Sequence, residues 1–257
     1  MKPTIRIVAT ALLVCGCLIP ASVTSAAQTL RVHASFTPDK LGASTNLSAT
    51  ATFGSTTAGP QPPAVKVTLY GPKGMSVDTR GAGTCTATPA TLEETGPSAC
   101  PPSSRVGFGS GVGLFEIAKE IIDGHFTLEF FLAPSQAGHH VMLIYVNSVT
   151  PAAGQKVLVA REVQGPSPYG IGITFDVSEA PTLPGALPGW EEHVSLTFGA
   201  SHVAYFKTVH GKRKLVHVKG IVLPKTCPHG GFPIEAQIGF ADGTMTTTTT
   251  TVPCPRK

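Results

Sequence analysis

Charge is scarce in this 257-residue chain: Asp, Glu, Lys and Arg together make up 13%. With 42% hydrophobic residues, the shortage of charge does not mark disorder; it fits a globular chain rich in turns. The formal net charge is only +4, half of it from Lys2 and Arg6, too little for a dedicated nucleic-acid binder. Aromatic residues are few, with one Trp and four Tyr. Beyond the N-terminus no apolar run is long enough to cross a bilayer as a helix.

Catalytic signatures are missing as well. No serine sits in GxSxG, and HExxH does not occur. RVGFGSGVG (105–113) is out of frame for GxGxxG and lacks the Lys-Ser/Thr of a phosphate loop, so it reads as a Gly-rich strand edge or bulge. Carboxylates are scattered and supply no glycosidase pair. Of the nine histidines, His139 and His140 are adjacent and alternate across a strand, so they do not share an ion, and His33 and His193 fall on wet faces. No cofactor, metal site or catalytic residue is expected, and the chain reads as a non-enzyme.

What is present begins with a processing segment. Lys2 and Arg6 precede the apolar run IVATALLVCGCLI, Pro20 ends it, and Ser25-Ala26-Ala27 offers small residues for cleavage. Residues 1–27 are therefore expected to be a signal peptide and 28–257 the mature, exported chain. Acylation at Cys17, which would tether the protein to a membrane, is the competing reading. Four cysteines remain after cleavage at Ala27: Cys85, Cys100, Cys227 and Cys254. An even number in an exported chain predicts disulfides. Pairing Cys85–Cys100 and Cys227–Cys254 closes two local loops, each contributing about 3 to 4 kcal/mol in the chain-entropy account.

Period-2 alternation recurs along the mature chain. It sets Leu47, Ala49, Ala51 and Phe53 against Asn46, Ser48, Thr50 and Thr52. It returns at Val65–Leu69, Ile171–Val177, Val194–Phe198 and Ile234–Phe240. Each is a strand with one buried face, which predicts an all-β protein, an antiparallel β-sandwich of immunoglobulin-like size or larger. It is either one sandwich or two β lobes, 28–113 and 114–257. Asp123-Gly124, Asp242-Gly243 and His210-Gly211 are the predicted hairpin turns. Thr88 and Pro89 predict one short helix between the first two cysteines. Thr246–Thr251 reads as a strand, with O-glycosylation the alternative use of such a run.

Two stretches carry a resemblance. TCTATPATLEETGPSACPPSSRVGFGSG and KTCPHGGFPIEAQIGFADG, closing on VPCP, resemble recurring segments of an uncharacterised family of secreted, Cys-containing β-rich proteins from soil actinobacteria. The resemblance implies bacterial export and assigns no site residue. The leading expectation is a non-enzymatic secreted or envelope-associated module with a structural or interaction role. Its partner would be a cell-envelope polymer or another envelope protein. A carbohydrate- or wall-binding module using Trp190, Tyr70 and Tyr205 is the second reading, and a secreted hydrolase the third. The late basic cluster Lys207, Lys212, Arg213, Lys214, Lys219 and Lys225 reads as a solvated hairpin or as an attraction to an anionic cell surface.

Overall fold

The structure, a computed structural model, describes residues 28–56, 61–151, 153–177, 189–201 and 203–255. The predicted signal peptide with Cys17, and most of the Pro/Gly connector at 181–189, lie outside them. The first strands are β1 (Gln28–Thr37), β2 (Ser44–Ser55), β3 (Ala64–Pro72) and β4 (Ser76–Asp78). Helix α1 (Pro89–Thr95) and two short 3₁₀ turns lead to β5 (Arg105–Ile117), β6 (Glu120–Gln136), β7 (His139–Ser148) and β8 (Gly154–Gln164). There follow β9 (Tyr169–Asp176), β10 (Trp190–Phe198), β11 (Ala204–Val209), β12 (Lys212–His217) and β13 (Gly220–Val222). The last pair is β14 (Phe232–Phe240) and β15 (Met245–Val252).

Thirteen strands form one antiparallel sheet in the order β15-β14-β3-β9-β8-β7-β6-β5-β10-β2-β13-β4, with β1 on the other edge of β2. Strands from residues 28–113 and 114–257 are interleaved: β10 lies between β5 and β2, and β14 is hydrogen-bonded to β3. The sheet rolls until its ends meet, where Thr246 Oγ1 donates to the Gln28 carbonyl at 2.9 Å. The fold is thus all-β, as the alternation predicts, with opposite walls of the roll facing each other as in a sandwich. β11 and β12 form a separate two-stranded hairpin.

Side-chain volume explains the register of β5. Its inward positions are Gly107, Gly109, Gly111 and Gly113, and the first three lie between larger residues on β6 and β10. Gly107 separates Phe130 from Phe198, Gly109 separates Leu128 from Leu196, and Gly111 separates Phe126 from Val194. With no Cβ between them, the Phe130 and Phe198 rings meet at 4.2 Å. A Cβ on Gly111 would stand 2.2 Å from Phe126 Cζ and 2.8 Å from the His193 carbonyl oxygen. The glycine-rich stretch is therefore an interior strand rather than a sheet edge, and of the expected edge or bulge it carries the irregularity, a register shift against β6 between Arg105 and Gly107.

The same packing moves a turn. The β5–β6 hairpin turns at Ala118-Lys119, both at positive φ (52° and 70°), while Asp123-Gly124 lies within β6. Turning at Asp123-Gly124 would shift β6 against β5 and take Phe126, Leu128 and Phe130 away from the glycines. Gly124 instead faces Gly113, leaving room for the Phe115 ring, 2.3 Å from where a Cβ would be. The other two predicted turns form: His210-Gly211 (φ 49° and 73°) joins β11 to β12. In the other, Asp242 Oδ1 accepts from Thr244 N at 2.9 Å.

The predicted short helix is α1. Thr88 caps it by accepting from Thr91 N at 3.1 Å, and Pro89 starts it. Fully buried Leu92 packs with Cys85, Cys100, Phe131, Leu143, Tyr145 and Val157 on the outer side of β6–β8. Glu93 Oε1 accepts from Val157 N at 2.8 Å, satisfying a strand amide on β8. Both disulfides form as paired from the sequence, Cys85–Cys100 beside α1 and Cys227–Cys254 between the β13–β14 connection and the end of β15. Thr246–Thr251 is strand, as expected, with Thr246, Thr248 and Thr250 half-buried and the alternate residues exposed.

Candidate functional site

The inner wall of the roll is not filled. Ala49 and Ala51 on β2, Ala64 and Ala236 on β3 and β14, and Gly113 and Gly124 on the hairpin stand where bulkier residues would close the interior. A cavity of about 480 Å³ remains between the walls. It is bordered by Val32, Phe53, Phe115, Phe126, Phe175 and Ile238, among other apolar side chains from ten strands. This explains why inward-facing residues such as Ala51, Phe126 and Val194 keep accessible surface: they face a void. Such a volume lies in the range of small-molecule sites. A second cavity of about 130 Å³ lies toward the other end of the roll and shares Val32, Ala49, Leu69, Ile173, Leu196 and Phe198 with the first.

One carboxyl faces the larger cavity. β10 carries a bulge between Glu191 and His193: Glu191 is opposite Gly113, His193 is opposite Val112, and Glu192 is the extra residue. Unbroken alternation back from Val194 would turn Glu192 inward and Glu191 out. The bulge exchanges them, a common use of such irregularities. Glu191 Oε2 accepts from Ala64 N at 3.3 Å, and no ion pair forms to it among the described residues. Burial pushes its carboxyl above the ordinary value, against smaller lowering by backbone hydrogen bonds. The other titratable residue on this wall is Lys156, whose Nζ lies 3.9 Å from Glu93 on α1. The sequence signal was present in WEEH, an acidic pair where an apolar alternation should continue, but the bulge that selects Glu191 is not legible locally.

The three aromatics nominated for sugar stacking are not brought together. Trp190 is 3% exposed and borders the large cavity, while Tyr70 borders the small one. Tyr70 stacks on Tyr169 at 6.1 Å on the outer side of the sheet. Tyr205, at the base of the β11–β12 hairpin, lies against Gly81, whose missing Cβ makes space for its ring.

No group of three or more metal-ligating side chains occurs among the described residues. His139 and His140, expected to diverge, both approach Glu162 instead, with Nδ1 and Nε2 at 3.8 and 4.0 Å from its oxygens. The β11–β12 hairpin carries Lys207, Lys212, Arg213 and Lys214 with no acidic residue, and exposes Phe206 and Leu215 opposite each other at 58% and 56%. Arg213 lies 4.0 Å over the Phe206 ring. No helix of the described residues is long and apolar enough to cross a membrane. No protein-family model, curated protein or solved structure matches this chain.

Proposed function

We propose that this is a non-enzymatic exported protein that binds an apolar small molecule inside its rolled sheet. The observation that carries the reading is the apolar cavity of about 480 Å³ bounded by strands from both walls. Its lining includes Ala and Gly at inward positions, which leave the space open. Both disulfides support an oxidising, extracytoplasmic setting, and the N-terminal processing signal and the secreted-family resemblance support bacterial export. The direct test is titration of oxidised protein with a neutral, environment-sensitive naphthylamine dye. Saturable binding of one dye per chain, reversed by a long-chain alkane, is expected; the absence of saturable binding overturns the reading.

Association with the cell envelope has its own observation, the β11–β12 hairpin. Arg213 beside the exposed Phe206–Leu215 pair on one face of the hairpin, and Lys207, Lys212 and Lys214 on the other, suit an anionic lipid surface, with about 1 kcal/mol per basic residue near it. Sedimentation with vesicles containing anionic lipid, lost at high salt and in a K207A/K212A/K214A variant, is the expected result. Equal recovery on neutral vesicles overturns the electrostatic part.

A further inference from the structure

We propose that Glu191 anchors the head group of the cavity's ligand, and that this ligand is an uncharged amphiphile, an apolar chain or ring system ending in a hydroxyl. The proposal rests on the apolar-binding reading above and adds the chemistry of one end of the molecule.

Geometry places the carboxyl. The β10 bulge turns Glu191 inward opposite Gly113; Gly113 and the facing Gly124 carry no side chain of their own, and the Phe115 ring of β5 packs over them. Its described hydrogen bonds come from backbone amides, among them Ala64 N to Oε2 at 3.3 Å, and they leave part of the carboxyl's acceptor capacity unused. A buried polar group in an apolar enclosure costs free energy unless it is paired. A bulge also gives up regular pairing, and straight alternation would have turned Glu191 to solvent. A side chain held inward in that way is explained by something it meets there.

Charge selects among head groups. Lys156, the cation bordering the same cavity, lies 3.9 Å from Glu93, and no ion pair to Glu191 forms among the described residues. Burial favours its neutral form. An anionic head, such as that of a fatty acid, brings a second acid beside Glu191. An ammonium head requires both partners to be charged and desolvated together. A hydroxyl donates to a carboxylate or a carboxyl C=O and accepts from a carboxyl O–H, so it pairs with Glu191 in either state. The rest of the ligand meets Phe115, Phe126 and Ile238 and needs only to be apolar.

The test is competition against the neutral dye on the full mature chain, using hexadecanol, hexadecanoate and hexadecane. The wild type is expected to bind hexadecanol about tenfold more tightly than either of the others, the scale of one hydrogen bond. Glu191→Leu is expected to abolish that preference while still binding hexadecane. Glu191→Gln, which donates and accepts at the same place, is expected to retain it. If the dye and hexadecane bind but the three competitors rank equally, or if Glu191→Leu leaves the ranking unchanged, the head-group assignment is overturned and the cavity reading survives. If no probe binds to the wild type, the cavity reading falls and takes this assignment with it.

Discussion

Replacing Ala51 by Leu separates an empty interior from a packed one. Ala51 points inward from β2 between Val32 on β1 and Val194 on β10, and all three border the large cavity. In a close-packed core the added carbons force neighbours off their rotamers and cost about 1 to 3 kcal/mol. Here the three carbons enter a space of about 480 Å³. At about 0.8 kcal/mol per buried methylene the gain has a ceiling of about 2 kcal/mol, and contact on only some sides halves it to about 1 kcal/mol of stabilisation. The assay is urea unfolding of the oxidised protein followed by the fluorescence of Trp190, the only tryptophan, buried at the cavity wall. A higher midpoint with unchanged slope, together with weaker neutral-dye binding, is expected. A loss of 1 kcal/mol or more would show that the walls already touch at Ala51, and unchanged dye binding would place the dye elsewhere.

The glycine strand makes the opposite prediction, since Gly111→Ala puts a Cβ against Phe126 and the His193 carbonyl; a destabilisation of about 1 to 3 kcal/mol is expected from the same urea series. Replacing Cys85 and Cys100 together by Ala should cost about 3 kcal/mol for a bridge spanning 15 residues, with faster hydrogen exchange in α1 as its local readout. Stability against pH should carry two opposed slopes. Asp78 is held at about 2, chiefly by the side-chain hydrogen bond from Arg80, so its contribution is present above the ordinary 3.8 and is lost as pH falls through about 2. Glu191 is raised, so above its ordinary 4.5 the unfolded chain has released a proton that the folded chain keeps. Stability therefore falls as pH rises from there to the folded value, and Glu191→Gln should flatten that limb in a thermal-melt series.

The local rules that act within a few residues were readable without a structure. Period-2 alternation determined the buried face at Ile234–Phe240 and the cavity-facing residues Ala49, Ala51 and Phe53 of β2, because successive strand side chains point to opposite sides. Thr88-Pro89 and His210-Gly211 determined a helix start and a turn through their own backbone and hydrogen-bonding preferences. The four cysteines determined their pairing by closing short loops. Tertiary structure decided what depends on distant partners. It placed β10 between β5 and β2, and moved a turn from Asp123-Gly124 to Ala118-Lys119 so that Phe126, Leu128 and Phe130 meet glycines across the strand. It also chose Glu191 over Glu192 to face the interior, through a bulge defined only by the neighbouring strand. The cavity belongs to this second class: each small residue on its wall is unremarkable alone, and the empty volume exists only once strands far apart in sequence bring those residues face to face.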